Sequence, residues 1–387
     1  MSSDAAEGAP GDFGLYVHWP FCEAKCPYCD FNSHVRRAVD HDRWAAAFER
    51  EIARIRDLAP DRILGSIFFG GGTPSLMSPD LVHRVIEAAR RAWRWRNDIE
   101  ITLEANPSSV EVARFRGFVR AGVNRISIGV QALNDLDLKR LGRLHSAAEA
   151  LAAIETARAV TDRVSFDLIY ARQDQTAGDW QDELKRALSM EPKHLSLYQL
   201  TIEANTAFGD RYKAGKLRGL PDEDRSAEMF ETTQALCDAA GLPAYEISNH
   251  ARVGTEGRHN LVYWRYGEYA GVGPGAHGRL MWQGKRYATH AIPSPEEWLK
   301  SAENTGALHE TRTELSAEEQ GDEYLMMSLR LREGASLSRF QALSGSNMPE
   351  ARIARLMNDG LLWQEGDRIG TTDRGRLLLN AVLRELL

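Results

Sequence analysis

The segment LYVHWPFCEAKCPYCDF, residues 15–31, places three cysteines directly behind a short apolar run. Cys22, Cys26 and Cys29 follow a C-x3-C-x2-C spacing. Thiolates are soft, anionic ligands suited to iron and zinc. Three of them on one tight loop can take three corners of a [4Fe–4S] cubane, where ferredoxins use four. The fourth iron then keeps vacant positions. S-adenosylmethionine (SAM) can chelate it through its amino and carboxylate groups, with the sulfonium beside the cluster for one-electron transfer and C–S cleavage. Tyr28, between Cys26 and Cys29, offers an aromatic face to cluster and adenine. The competing reading is zinc, which takes four ligands in a tetrahedron. His18 or His34 would be the local fourth ligand, but no second C-x2-C follows.

Outward from this loop, short apolar runs alternate with amphipathic stretches over the first 200 residues. The pattern predicts strands at LYVH (15–18), SIFFG (66–70), IEITLE (99–104), RISIGV (125–130), RVSFDLIY (163–170) and HLSLYQL (194–200). Helices are predicted over 41–58, 78–93, 109–122, 146–160 and 179–190. Ser78 with Pro79, and Ser146 with Glu149, read as helix starts, and Gly122 as a helix stop. Strands alternating with helices of this length form βαβ units on a parallel sheet. Six units are too few for a closed eight-stranded barrel, so the expected fold is a partial (β/α)6 barrel of the α/β class. The polar residues that look chemical sit at or just beyond the C-terminal ends of these strands: Cys22, Gly70 to Gly72, Glu104, Gln131, Asp167 and Gln199. That rim is where such barrels carry their active sites.

The 387 residues predict four segments: a disordered lead-in (1–13), the barrel (14–204), an aromatic, Gly-rich extension (205–310) and a C-terminal winged-helix-like domain (311–387). The last is read from three helical stretches, a hairpin and a closing helix. Its second helix, in SLSRFQALSG, carries little positive charge, so packing or partner docking is expected over DNA reading. A net charge of −7 and the lack of a basic run argue against a nucleic-acid partner. No apolar stretch approaches the roughly 18 residues of a membrane span, and the N-terminus has no signal-peptide pattern. The expected location is cytoplasmic. Cys237 stands alone in a helical stretch and reads as a small buried hydrophobe.

At these residues the sequence resembles the radical SAM superfamily, and within it the oxygen-independent coproporphyrinogen-oxidase branch, over nearly the whole chain. FFGGGTPS (68–75) resembles the family's GGTP motif, with Gly71, Gly72 and Thr73 approaching the SAM amino group. The resemblance also assigns Tyr16, Glu104, Gln131, Arg143 and Asp167 to the SAM site. The true oxidase carries a fourth cysteine two positions after the third, whereas position 31 here is Phe. Conversely, RHNLVYW (258–264) and YAGVGPGAHG (269–278) resemble the HemW-type heme chaperones, whose HNxxYW motif is tied to heme binding. The resemblance therefore implies three bound groups: a [4Fe–4S] cluster, SAM and heme. It implies His259, Asn260, Tyr263 and Trp264 as heme-associated, with His259 the foremost iron ligand and His250 and His277 as alternatives. An imidazole ligates heme iron, and Tyr and Trp offer flat apolar surface. The implied partners are recipient hemoproteins, membrane-associated respiratory enzymes among them, with homodimerisation left open. The alternative is a radical SAM oxidase or another porphyrin-modifying enzyme, and a third is a structural zinc protein. Two positions depart from the family pattern: Gly278, where Ser is usual, and Ala171, followed by Arg172, where Gly is commoner after DLIY.

Overall fold

Six strands appear where the apolar runs predict them: β1 (Phe13–Trp19), β2 (Ile63–Gly71), β3 (Arg94–Ala105), β4 (Arg125–Gln131), β5 (Val164–Tyr170) and β6 (His194–Gln199). The computed structural model describes residues 13–36, 38–304 and 310–387. The expected lead-in, apart from Phe13, lies outside the described residues. Each of the six strands pairs in parallel with the next. The sheet then extends at both edges. β7 (Asn249–Ala251) joins β6 antiparallel. On the other side β8 (Glu268–Val272) lies parallel to β1 and leads into three antiparallel strands, β9 (His277–Trp282), β10 (Lys285–Ala291) and β11 (Glu310–Glu314). The result is one 11-stranded sheet whose central part is the partial barrel.

β1 is buried along nearly its whole length because helices cover one face of the parallel sheet and the barrel interior fills the other. α1 (His41–Leu58) starts where the Asp40 side chain accepts from the Arg43 amide. α2 (Pro79–Ala92) starts at Ser78, as its sequence predicts, with Pro79 at the first position. The predicted helix over 109–122 forms as two pieces, Ser109–Val112 and α3 (Phe115–Ala121). In the first piece, buried Glu111 turns inward and accepts from Ser75, Ser108 and the Asn106 amide. α3 ends at Gly122, whose φ of 117° only glycine adopts readily. α4 (Ala147–Arg158) carries the predicted Ser146–Glu149 capping box. α5 (Ala177–Leu188) begins two residues before its predicted start because Thr176 and Asp179 form a second box.

The extension supplies α6 (Arg258–Trp264), and the C-terminal part α7 (Ala317–Ser328), α8 (Leu337–Ser344) and α9 (Glu350–Asn358). β12 (Ala335–Ser336) and the hairpin strands β13 (Leu362–Glu365) and β14 (Arg368–Thr371) complete a winged-helix-like arrangement. Its core includes Leu325, Leu329, Phe340, Ile353, Leu356, Ile369 and Val382. Each such buried side chain contributes about 1.5–3 kcal/mol. Tyr266 from the extension packs into the same core. Arg339, on the helix that a DNA reader would use, stacks on Tyr324 and donates to the Tyr266 carbonyl. Its charge is spent on internal packing.

Candidate functional site

The cysteine loop leaves the C-terminal end of β1 and is held by backbone bonds. Phe21 and Cys22 pair with His34 and Val35, and the Cys29 amide donates to the Cys26 carbonyl at 3.1 Å. The glycine turn after β2 clasps it from below: the Gly72 amide donates to Trp19 and the Thr73 amide to Phe21. A Cβ on Gly72 would come within 2.7 Å of the Phe21 carbonyl oxygen. No other residue permits that approach.

The three thiols open onto a cavity of about 160 Å³ at the rim of the barrel. Every residue that the sequence assigns to the cluster and SAM, save Tyr16, lines it: Cys22, Cys26, Cys29, Tyr28, Gly71, Gly72, Thr73, Glu104, Gln131, Arg143 and Asp167. Among the described residues, no three His, Cys, Asp or Glu side chains converge as a single metal ion requires. His18, one candidate zinc ligand, has both ring nitrogens engaged, by the Tyr16 hydroxyl and the Asn32 carbonyl, each at 2.9 Å. His34 is tied to Asn32 at 3.1 Å.

Burial pushes the Cys22 and Cys29 thiols up, against hydrogen bonds that favour the thiolate. Arg143 compensates from the far wall, donating to the Cys26 sulfur at 3.4 Å and to the Gly129 carbonyl at 3.0 Å. Two carboxylates face the same space. Burial pushes Glu104 up to about 8, helped by the charge of Asp167. Burial likewise raises Asp167 to about 6, against the Ser196 hydroxyl. One Asp167 oxygen is buried without a partner, an arrangement that an amino or hydroxyl donor would satisfy. The backbone is strained around this rim: Gln131, at the end of β4, has φ 71°, and Ala171, just past β5, has φ 57°. Three soft anionic donors, two carboxylates and a cradle free of Cβ atoms fit a cluster with a chelating amino acid. Asn106 also lines the cavity; it accepts from Arg143 and donates to Thr73 at 3.2 Å. Sequence reasoning passed over it, although it stands two residues beyond Glu104 and just before Pro107.

A second cavity, of about 770 Å³, adjoins the first, and Phe31, Gly71 and Glu104 belong to the walls of both. Tyr16 lines this larger space, as do Tyr263 and Trp264. Their neighbours on α6 face the other way. His259 is 1% exposed; Ser66 holds its Nδ1 at 2.8 Å and the Tyr263 hydroxyl its Nε2 at 2.7 Å. Its ring stacks on Phe68, and burial lowers its pKa to about 3. Both ring nitrogens of His259, the ligand expected foremost, are thus engaged within the protein in this structure. Asn260 donates to the Tyr245 hydroxyl at 3.2 Å. It braces the wall from outside the cavity. His250 is fully buried against Gln234. Cys237 is buried too, and its thiol is pushed up to about 12.

A Cβ at Gly278 would sit 2.5 Å from the Thr289 hydroxyl. Ala171 takes φ 57° where the family pattern has Gly, and Arg172 after it bridges Asp137 at 2.8 Å and Glu183 at 2.6 Å.

A partial barrel with three thiols, a glycine turn and paired carboxylates on its C-terminal rim is the framework of a radical SAM protein. The family model for the radical SAM superfamily matches residues 16–187, and that for the HemN C-terminal domain matches 315–378. The heme chaperone HemW of Escherichia coli (strain K12) is 38% identical, over 96% of this chain and 97% of that protein. The mitochondrial radical S-adenosyl methionine domain-containing protein 1 of Bos taurus is 38% identical, over 98% of this chain and 88% of its own. The radical SAM coproporphyrinogen III oxidase HemN of E. coli superposes with a TM-score of 0.80 at 22% identity, covering 98% of this chain and 91% of that one, and shares its fold. The chain belongs to the HemW-like branch of the radical SAM superfamily, which implies SAM and a [4Fe–4S] cluster. No described helix is long and apolar enough to cross a membrane.

Proposed function

We propose that this protein binds heme and hands it to hemoproteins, on a scaffold that carries a SAM-ligated [4Fe–4S] cluster. The observation that carries the reading is the larger cavity, roomy and walled by Tyr263, Trp264 and Tyr269, set against the thiol cavity with a shared wall. Flat aromatic faces suit a porphyrin. The 38% identity with a protein named as a heme chaperone supports the same reading.

Cys22, Cys26 and Cys29 would hold the cluster, and Glu104, Asp167, Gln131 and the Gly71 to Thr73 turn would hold SAM. Tyr28 would cover the adenine side. When bound, that pair supplies one-electron reduction of the sulfonium. Arg143 keeps positive charge beside the Cys26 sulfur. Glu104, raised to about 8, keeps a proton at neutral pH and can donate it as a hydrogen bond. Phe31 stands where the oxidase has its fourth cysteine, 57% exposed between the two cavities. It gives the porphyrin an apolar edge in place of a further thiol. The recipients would include membrane-associated respiratory enzymes. A cytoplasmic location and a homodimer belong to the same proposal.

Anaerobic titration of the reconstituted protein with heme tests the reading. A saturable Soret band, and transfer of that heme to an apo-hemoprotein, are the expected results. Conversion of coproporphyrinogen III to protoporphyrinogen IX with SAM and reductant would replace the chaperone reading with the oxidase one.

A further inference from the structure

Besides His18, the larger cavity holds two histidines that the HNLVYW segment does not contain. His277 opens β9, and His290 lies directly opposite it on β10. Their rings stack with centroids 4.2 Å apart and planes 8° from parallel. Both face the cavity, His277 exposed and His290 partly so. His18, His194, His250 and His259 all spend ring nitrogens on hydrogen bonds within the protein. Neither His277 nor His290 makes such a bond to a described residue.

Two imidazoles on a cavity wall do not make a zinc site, which takes at least three protein ligands, and among the described residues no third converges here. A porphyrin iron is different. It brings four nitrogens of its own and needs one imidazole to complete an axial bond. Stacked rings cannot grip one iron from opposite faces, since that needs nitrogen opposed to nitrogen across the metal. One ring therefore ligates while the other packs behind it.

The hairpin that carries the pair is pinned from the cysteine loop. The Asn32 amide donates to the Pro274 carbonyl and to the Pro293 carbonyl, both at 2.9 Å. These prolines flank β9 and β10 at the histidine end. A Cβ on Gly275 would come within 2.5 Å of that Asn32 nitrogen, so the clasp needs glycine there. Asn32 lies three residues beyond Cys29. The cluster-binding loop thus sets where the two imidazoles stand.

The geometry points to His277 as the axial ligand of heme iron in this cavity, with His290 as the positioning residue stacked behind it. This rests on the heme-binding reading above and moves the ligand from the HNLVYW helix to the β9–β10 hairpin.

Heme titration of the cluster-loaded protein, followed by absorption and resonance Raman spectra, separates the two claims. If the wild-type protein gives no saturable Soret band, the heme-binding reading fails and this assignment with it. If wild type binds, His277→Ala is expected to shift the Soret maximum, abolish the iron–histidine stretch and weaken binding roughly tenfold or more. Added imidazole should restore the wild-type maximum, which shows that the variant has kept its cavity. His290→Phe, which keeps a stacked ring, should keep the ligated spectrum. A wild-type spectrum and affinity in folded His277→Ala would overturn the assignment. So would a ligated spectrum lost in His290→Phe or in folded His259→Ala while His277→Ala retains it.

Discussion

The thiol cavity and the HNLVYW helix are the two places where a short motif stands out, and the structure treats them oppositely. Around the thiols, side chains from different strand ends face one common space, and one Asp167 oxygen there is left without a partner. On α6 the polar atoms answer one another: His259 bridges Ser66 and Tyr263, and Asn260 meets Tyr245. The contrast teaches that a motif can be kept for what it touches or for the wall it stiffens. Only the free valence tells which.

The comparison breaks first at the cysteines. Cys22→Ala, Cys26→Ala or Cys29→Ala should each reduce iron from about four atoms per chain to near zero in anaerobically purified protein. Iron retained at the wild-type level in any of them would undo the ligand assignment. On the helix the expected loss is of stability. His259→Ala leaves Ser66 and Tyr263 without their partner and opens a void beside Phe68, at a cost of about 3 kcal/mol. Denaturant unfolding measures it, with iron content kept; a loss below about 1 kcal/mol would contradict a structural role.

A smaller effect separates the carboxylates from the helix. Glu104 near 8 and Asp167 near 6 lie above their ordinary values of 4.5 and 3.8, so the folded chain holds protons that the unfolded chain releases. Their stabilisation is complete below about pH 4 and is lost as the pH rises to about 8. The melting temperature of cluster-free protein should fall across that range, and Glu104→Gln should flatten the fall. In loaded protein Glu104→Ala should weaken SAM binding by about tenfold, read by equilibrium dialysis. Smallest of all, Cys237→Ala should cost about 1 kcal/mol and leave iron untouched.

Much of the barrel was legible because its strands are continuous apolar runs and its helix starts use Ser78 and Ser146, local features that need no tertiary knowledge. The rim was legible for the same reason: in a parallel barrel, the residue after each apolar run lands at one end. What stayed hidden depends on long-range pairing. The broken helix over 109–122 follows from Glu111 bonding Ser75, 36 residues away. The start of α5 follows from Thr176, a box that the sequence contains but the reading set two residues late. His277 and His290 are thirteen positions apart, and only the β9–β10 register makes them a stacked pair. The burial of His259 and its bonds to Ser66 and Tyr263 are likewise properties of the packed chain.

The double clasp at Asn32 has a mechanical meaning. One amide joins the loop that would grip the inorganic centre to both feet of the hairpin on the far cavity wall. Such a strut transmits posture without exchanging electrons. Iron–sulfur assembly in one chamber would then set the shape of the other, so under the proposed function a chain without that centre would present its tetrapyrrole site in a slack, unready form.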